Sequence, residues 1–142
     1  MSVGLQVTYL YHDVDVVEVR VTVDNACFRG TADVYVGTGE LQEAADKIRD
    51  FPANAQETRG VTFGSFRPRT AGGAVRLEFF CKDMAGHSAV RAIIEEDYPK
   101  QRPPQCATVL VDFEPAALDQ FVRELGRVEA EFGSAALTTQ VI

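Results

Sequence analysis

The sequence predicts an α+β fold: a mainly antiparallel, curved sheet of about seven strands with two amphipathic helices, ordered β-β-β-α-β-β-β-β-α. Three observations predict it. Apolar and polar residues alternate in several short segments, as expected of strands with one wet face. Two other segments carry apolar residues at helical spacing and end at proline or glycine. Strands also run consecutively before each helix, which favours α+β over an alternating, doubly wound α/β sheet. The 142 residues, 46% hydrophobic and 25% charged, match the size of one domain, and residues 1–142 are read as a single one.

The elements follow in order. Leu5, Val7 and Tyr9 alternate with Gln6 and Thr8. Val17, Val19, Val21 and Val23 alternate with Glu18, Arg20 and Thr22, the cleanest strand pattern in the chain. Asp24-Asn25 supplies a turn. The third strand then places Phe28, Gly30, Ala32, Val34 and Val36 on one face. Gly37-Thr38-Gly39 breaks it and opens a helix of about a dozen residues, with Glu40 in the first turn where the dipole favours an anion. Leu41, Ala44, Ala45, Ile48 and Phe51 form its apolar stripe, and Pro52 stops it. Val61 to Phe66 is a short strand, and Arg67 to Gly73 a loop. Val75 to Cys81 and Val90 to Glu95 read as a hairpin joined through Gly86. Asp97 to Gln105, with three prolines, is a connector. Val109, Val111 and Phe113 form the last strand. Glu114-Pro115 starts the second helix. Leu118, Phe121, Val122, Leu125, Val128 and Phe132 make its stripe, Gly133 its cap, and Ser134 to Ile142 an uncapped tail read as mobile.

Composition limits the function classes. Fourteen Lys+Arg against twenty-one Asp+Glu give a net charge of -7, which opposes nonspecific binding to nucleic acid or to an anionic membrane. No apolar run approaches the length of a membrane span. The start, MSVGLQVTY, lacks the pattern of a signal peptide, so a cytoplasmic location is expected. Cys27, Cys81 and Cys106 are odd in number, widely spaced and set among apolar residues. They are read as free thiols packed in the core, with no disulfide, metal or cofactor expected.

Candidate chemistry is sparse. Asp83 and His87 lie four apart in Asp83-Met84-Ala85-Gly86-His87, a spacing that could orient an acid/base pair. The competing reading is a reversal in which Asp83 accepts backbone amides, Gly86 takes positive φ and His87 opens the next strand. His12-Asp13 reads as a solvated loop pair, and the chain has no Gly-x-Ser-x-Gly nucleophile elbow and no glycine-rich phosphate loop. Residues 58–91 carry six basic and two acidic groups. Arg67, Arg69 and Arg76 belong to this island, within a chain that is otherwise acidic.

The order of motifs resembles a bacterial family of small uncharacterised proteins related to WapI-like immunity proteins of wall-associated tRNase toxins. The resemblance rests on Gly30 with Val34-Tyr35-Val36-Gly37, on Leu41 to Phe51-Pro52, and on Asp83-x-x-Gly86-His87 leading into a strand. It ends with Phe113-Glu114-Pro115-Ala116-Ala117-Leu118-Asp119-x-Phe121. It implies an α+β, non-enzymatic protein that neutralises a partner toxin. The expectation is thus a non-catalytic protein-interaction domain of immunity type, with Arg67, Arg69, Asp83 and His87 as candidate partner-binding residues. The alternatives are a small-molecule-binding domain with a pocket between sheet and helices, and an enzyme using Asp83 and His87.

Overall fold

The computed structural model describes residues 3–66, 72–97 and 102–139. Among the described residues, eight strands and three helices follow one another: β1 (Gly4–His12), β2 (Val16–Asp24), β3 (Arg29–Gly37), α1 (Glu40–Ile48), β4 (Thr58–Gly64), β5 (Ala74–Cys81), β6 (Ser88–Glu95), β7 (Cys106–Phe113), α2 (Pro115–Leu125), α3 (Val128–Glu131) and β8 (Ser134–Thr138). The α+β class and the antiparallel pairing agree with the sequence. The single seven-stranded sheet does not. The strands form two four-stranded sheets, ordered β3-β2-β1-β8 and β4-β5-β6-β7, with every pairing antiparallel. Alternation reveals which residues are strands, but not where a ladder stops. Here each break falls at a helix: α1 leaves the edge strand β3 for β4, and α2 and α3 leave the edge strand β7 for β8.

One hydrophobic cluster joins both sheets and the helices. Val17, Val19, Val21 and Val23 of β2 all point into it, as do Val75, Leu77 and Phe79 of β5. Strand β3 lies against all four strands of the second sheet, and β7 against β1, β2 and β3. Aligned sheets would not bring one strand across four, so the sheets cross steeply. Small residues permit the close approach: Gly73 N–H donates to the Asp33 carbonyl of β3 at 2.8 Å, and a Cβ on Gly73 would sit 3.2 Å from the Ala32 Cβ. The helices close the side of this sandwich. Helix α1 packs on β3 and β4, α2 on β8, and the two pack on each other. Leu41, Ala44, Ala45 and Ile48 are buried on α1, and Leu118, Phe121, Val122 and Leu125 on α2. Arg59 satisfies the end of α1 from the neighbouring strand, donating to the carbonyls of Lys47 and Arg49.

Four local expectations need correction. The tail from Ser134 is an edge strand through Thr138, paired to β1 with Ala135 and Leu137 buried. The second helix ends at Leu125, and α3 follows after a break at Gly126-Arg127. Its terminator is Phe132, held left-handed at φ 54, and not Gly133. Phe28 lies in the β2–β3 turn, 70% exposed, because the strand begins only at Arg29. The cysteines are free, but Cys27 and Cys106 are exposed and Cys81 is half-buried, since Cys27 lies in the β2–β3 turn and the other two at strand ends, where alternation no longer implies depth.

Candidate functional site

The hairpin between β5 and β6 behaves as the local chemistry predicts. Lys82 N–H donates to the His87 carbonyl at 2.7 Å and closes the reversal. Asp83 Oδ1 accepts from the amides of Ala85 (2.9 Å) and His87 (3.3 Å), and Gly86 takes φ +86. Asp83 Oδ2 lies 2.7 Å from His87 Nδ1. The bond to His87 is the main cause that holds the Asp83 carboxyl below its ordinary range. The two side chains therefore do meet, but as an exposed pair.

This turn forms one wall of a groove of about 820 Å³. Its other walls are the end of β7 (Asp112, Phe113), the start of α2 (Glu114, Pro115, Ala117) and Thr138-Thr139. Lys82 crosses it to Asp112 at 2.9 Å. The Ser88 hydroxyl, lining the same groove, donates to the Gly86 carbonyl at 3.0 Å. The volume falls within the range of small-ligand sites, yet Lys82 and Asp112 are paired with each other, His87 is paired with Asp83, and its walls are largely exposed. Between the sheets and the helices lie the side chains of the core cluster.

Arg67 and Arg69 lie outside the described residues, so the structure does not place them beside Asp83 and His87. The remaining cations of the basic island each lie beside a carboxylate. Arg76 reaches Glu78 at 3.2 Å and the Thr62 hydroxyl at 2.8 Å. Arg91 reaches the same Glu78 at 3.4 Å and lies 5.0 Å over the Phe80 ring. Arg59 pairs with Glu57 at 2.9 Å. Arg76 and Arg91 share one carboxylate, so this pairing offsets the positive charge of the sheet face in part. The segments Glu40–Asp50 and Asp112–Glu131 hold ten carboxylates against four cationic side chains. Because α1 and α2 pack together, their outer faces are adjacent.

Sequence reasoning missed a cluster built from the two ends of the chain. Register slips between Tyr9 and Tyr11, so that Tyr9 pairs with Val19, Tyr11 with Glu18 and His12 with Val17. Paired residues share a face, so this bulge at Leu10 sends His12 to the side of Tyr9. Phe132 arrives from α3, held against β1 by the bond from Tyr9 N–H to the Gly133 carbonyl at 2.9 Å. The Tyr9 hydroxyl and His12 Nδ1 are hydrogen-bonded, and His12 stacks on Phe132 with centroids 5.4 Å apart and planes 15° from parallel. Only the His12 position carried a sequence signal, and it pointed to a loop.

Among the described residues, no group of three or more His, Cys, Asp or Glu is placed to hold a metal ion. No described helix is long and apolar enough to cross a membrane. Comparison with protein-family models, curated proteins and solved structures gave no match.

Proposed function

We propose that this chain is a non-catalytic protein-binding domain that neutralises a basic partner, in the manner of the WapI-like immunity proteins its motifs resemble. The observation that carries this reading is the acidic double-helix face, ten carboxylates to four cations on α1, α2 and their flanks. A concentrated field of one sign speeds encounter with an oppositely charged protein and rejects like-charged ones. A nuclease toxin that binds tRNA must be basic, so its substrate-binding face is the natural complement.

The test is co-expression with basic nuclease toxin domains, starting with any encoded beside this protein, followed by association kinetics of the purified pair. The protein should protect cells, and association should slow at least tenfold between about 50 mM and about 300 mM salt. The double substitution Glu43→Lys and Asp119→Lys, both on exposed helix positions, should slow it further without moving the thermal midpoint. Loss of neither protection nor rate in that variant would sink the reading, as would the lack of any neutralised toxin.

A further inference from the structure

The turn after α3 is built against its own stability. Phe132 sits in the left-handed region at φ 54, ψ 40, with its own N–H and that of Gly133 both donating back to the Val128 carbonyl. This is a Schellman-type end, and the left-handed position is one that glycine fills without strain. A glycine is available one residue later. The bulky ring there is 60% exposed, so core burial does not account for it. A strained aromatic kept at the surface points to a role outside folding.

The surroundings define the role. Phe132, Tyr9 and His12 form one aromatic surface, with Tyr9 and Phe132 centroids 4.8 Å apart and His12 stacked on Phe132. The flanking segments, Tyr9–Val16 and Arg127–Ser134, contain Asp13, Asp15, Glu129 and Glu131 against the single cation Arg127. Glu129 also accepts from the Gly39 amide at 2.9 Å, which ties this end to the start of α1 and so to the acidic face. Ring faces attract cations, above all the planar guanidinium, and carboxylates around the rings select the same charge.

We infer that Tyr9, His12 and Phe132 form a platform that receives an arginine side chain of the protein partner. The inference rests on the acidic-inhibitor reading and names its anchor point. Aromatic–arginine contacts at the middle of an interface are the usual carriers of binding energy, whereas rim carboxylates mainly steer.

The experiment titrates the full chain with the peptide acetyl-Arg-Gly-Arg-Gly-amide and with its glutamate counterpart, following ring resonances by NMR. The arginine peptide should move the Tyr9, His12 and Phe132 rings in a saturable way, and the glutamate peptide should not. Phe132→Gly should keep or raise the thermal midpoint, since it relieves the left-handed strain, yet weaken the peptide roughly 3–30-fold. Phe132→Asn, which also tolerates that conformation, should behave alike. Equal binding by Phe132→Gly, or shifts confined to α1 and α2, would overturn the platform. Toxin neutralised with full affinity by Phe132→Gly would overturn the platform and leave the proposed function standing. Arginine peptide bound through the rings with no toxin neutralised would reject the function and retain the platform.

Discussion

Asp83 shows how a residue that looks catalytic can be explained by the turn it occupies. Its carboxylate accepts two backbone amides and the His87 ring, and its partners favour the ionised form. A carboxyl held below its ordinary 3.8 stabilises the fold fully above that value, and the contribution fades as pH falls through the lowered one. Asp83→Asn should therefore melt below the parent at about pH 5 and converge with it at about pH 2. The gap should be small, because the pair is exposed and screened by solvent. Thermal midpoints measured across that range decide the point. A gap that persists undiminished into acid would mean that Asp83 acts through something other than its charge.

At the scale of elements, β8 is the instructive case. Five residues with two buried side chains, Ala135 and Leu137, complete the first sheet and cover the edge of β1. Leu137→Ala should cost about 2–5 kcal/mol, the usual range for a fully buried leucine. It should also raise hydrogen exchange along Gly4–Thr8, the residues paired to β8. If stability held and exchange stayed confined to the tail, β8 would be an ornament on a three-stranded sheet. So short a strand, with alanine as half of its inward face, gives almost no periodic signal, which is why the sequence reads there as a tail. Val17–Val23 is the opposite case, four valines at period two that all prove buried. The second helix misleads for a subtler reason. Leu118, Phe121, Val122, Leu125 and Val128 keep helical spacing across the break, because α3 resumes on the same face of the core. The candidate sites divide along the same line. The Asp83–His87 turn is legible because its logic is contained in six residues. The Tyr9–His12–Phe132 cluster is not, because it needs a bulge, a left-handed cap and a pairing between chain ends.

For the whole molecule, the shared core sets how the chain must come apart. Each sheet is apolar on one face only, and each helix on one stripe, so none of them has a covered core alone. The crossing sheets meet through β3 and β7, and the helices seal the remaining side. Helix α1 packs on β3 and β4 and α2 on β8, so detaching the helices would open the core at both sheets and bare Leu41, Phe121 and Leu125. Partial structures are therefore costly, and unfolding should be a single cooperative step. Urea titrations followed by tyrosine fluorescence and by far-UV circular dichroism should give one superimposable transition. The tyrosines report mainly on the first sheet, at Tyr9, Tyr11 and Tyr35, whereas dichroism reports on both sheets and the helices. Leu125→Ala, in the helix that links them, should lower both midpoints equally, at a cost of about 2–5 kcal/mol, with the slope unchanged. Two separated transitions, or a shift in one probe alone, would divide the chain into independently stable halves and refute the shared core. Five of the six pairings join consecutive strands, but β1 pairs with β8 from the far end of the chain, and β3 packs across the whole second sheet. Refolding should accordingly be slow for a chain of this size, in milliseconds to seconds, as closing long loops precedes the contacts that reward them.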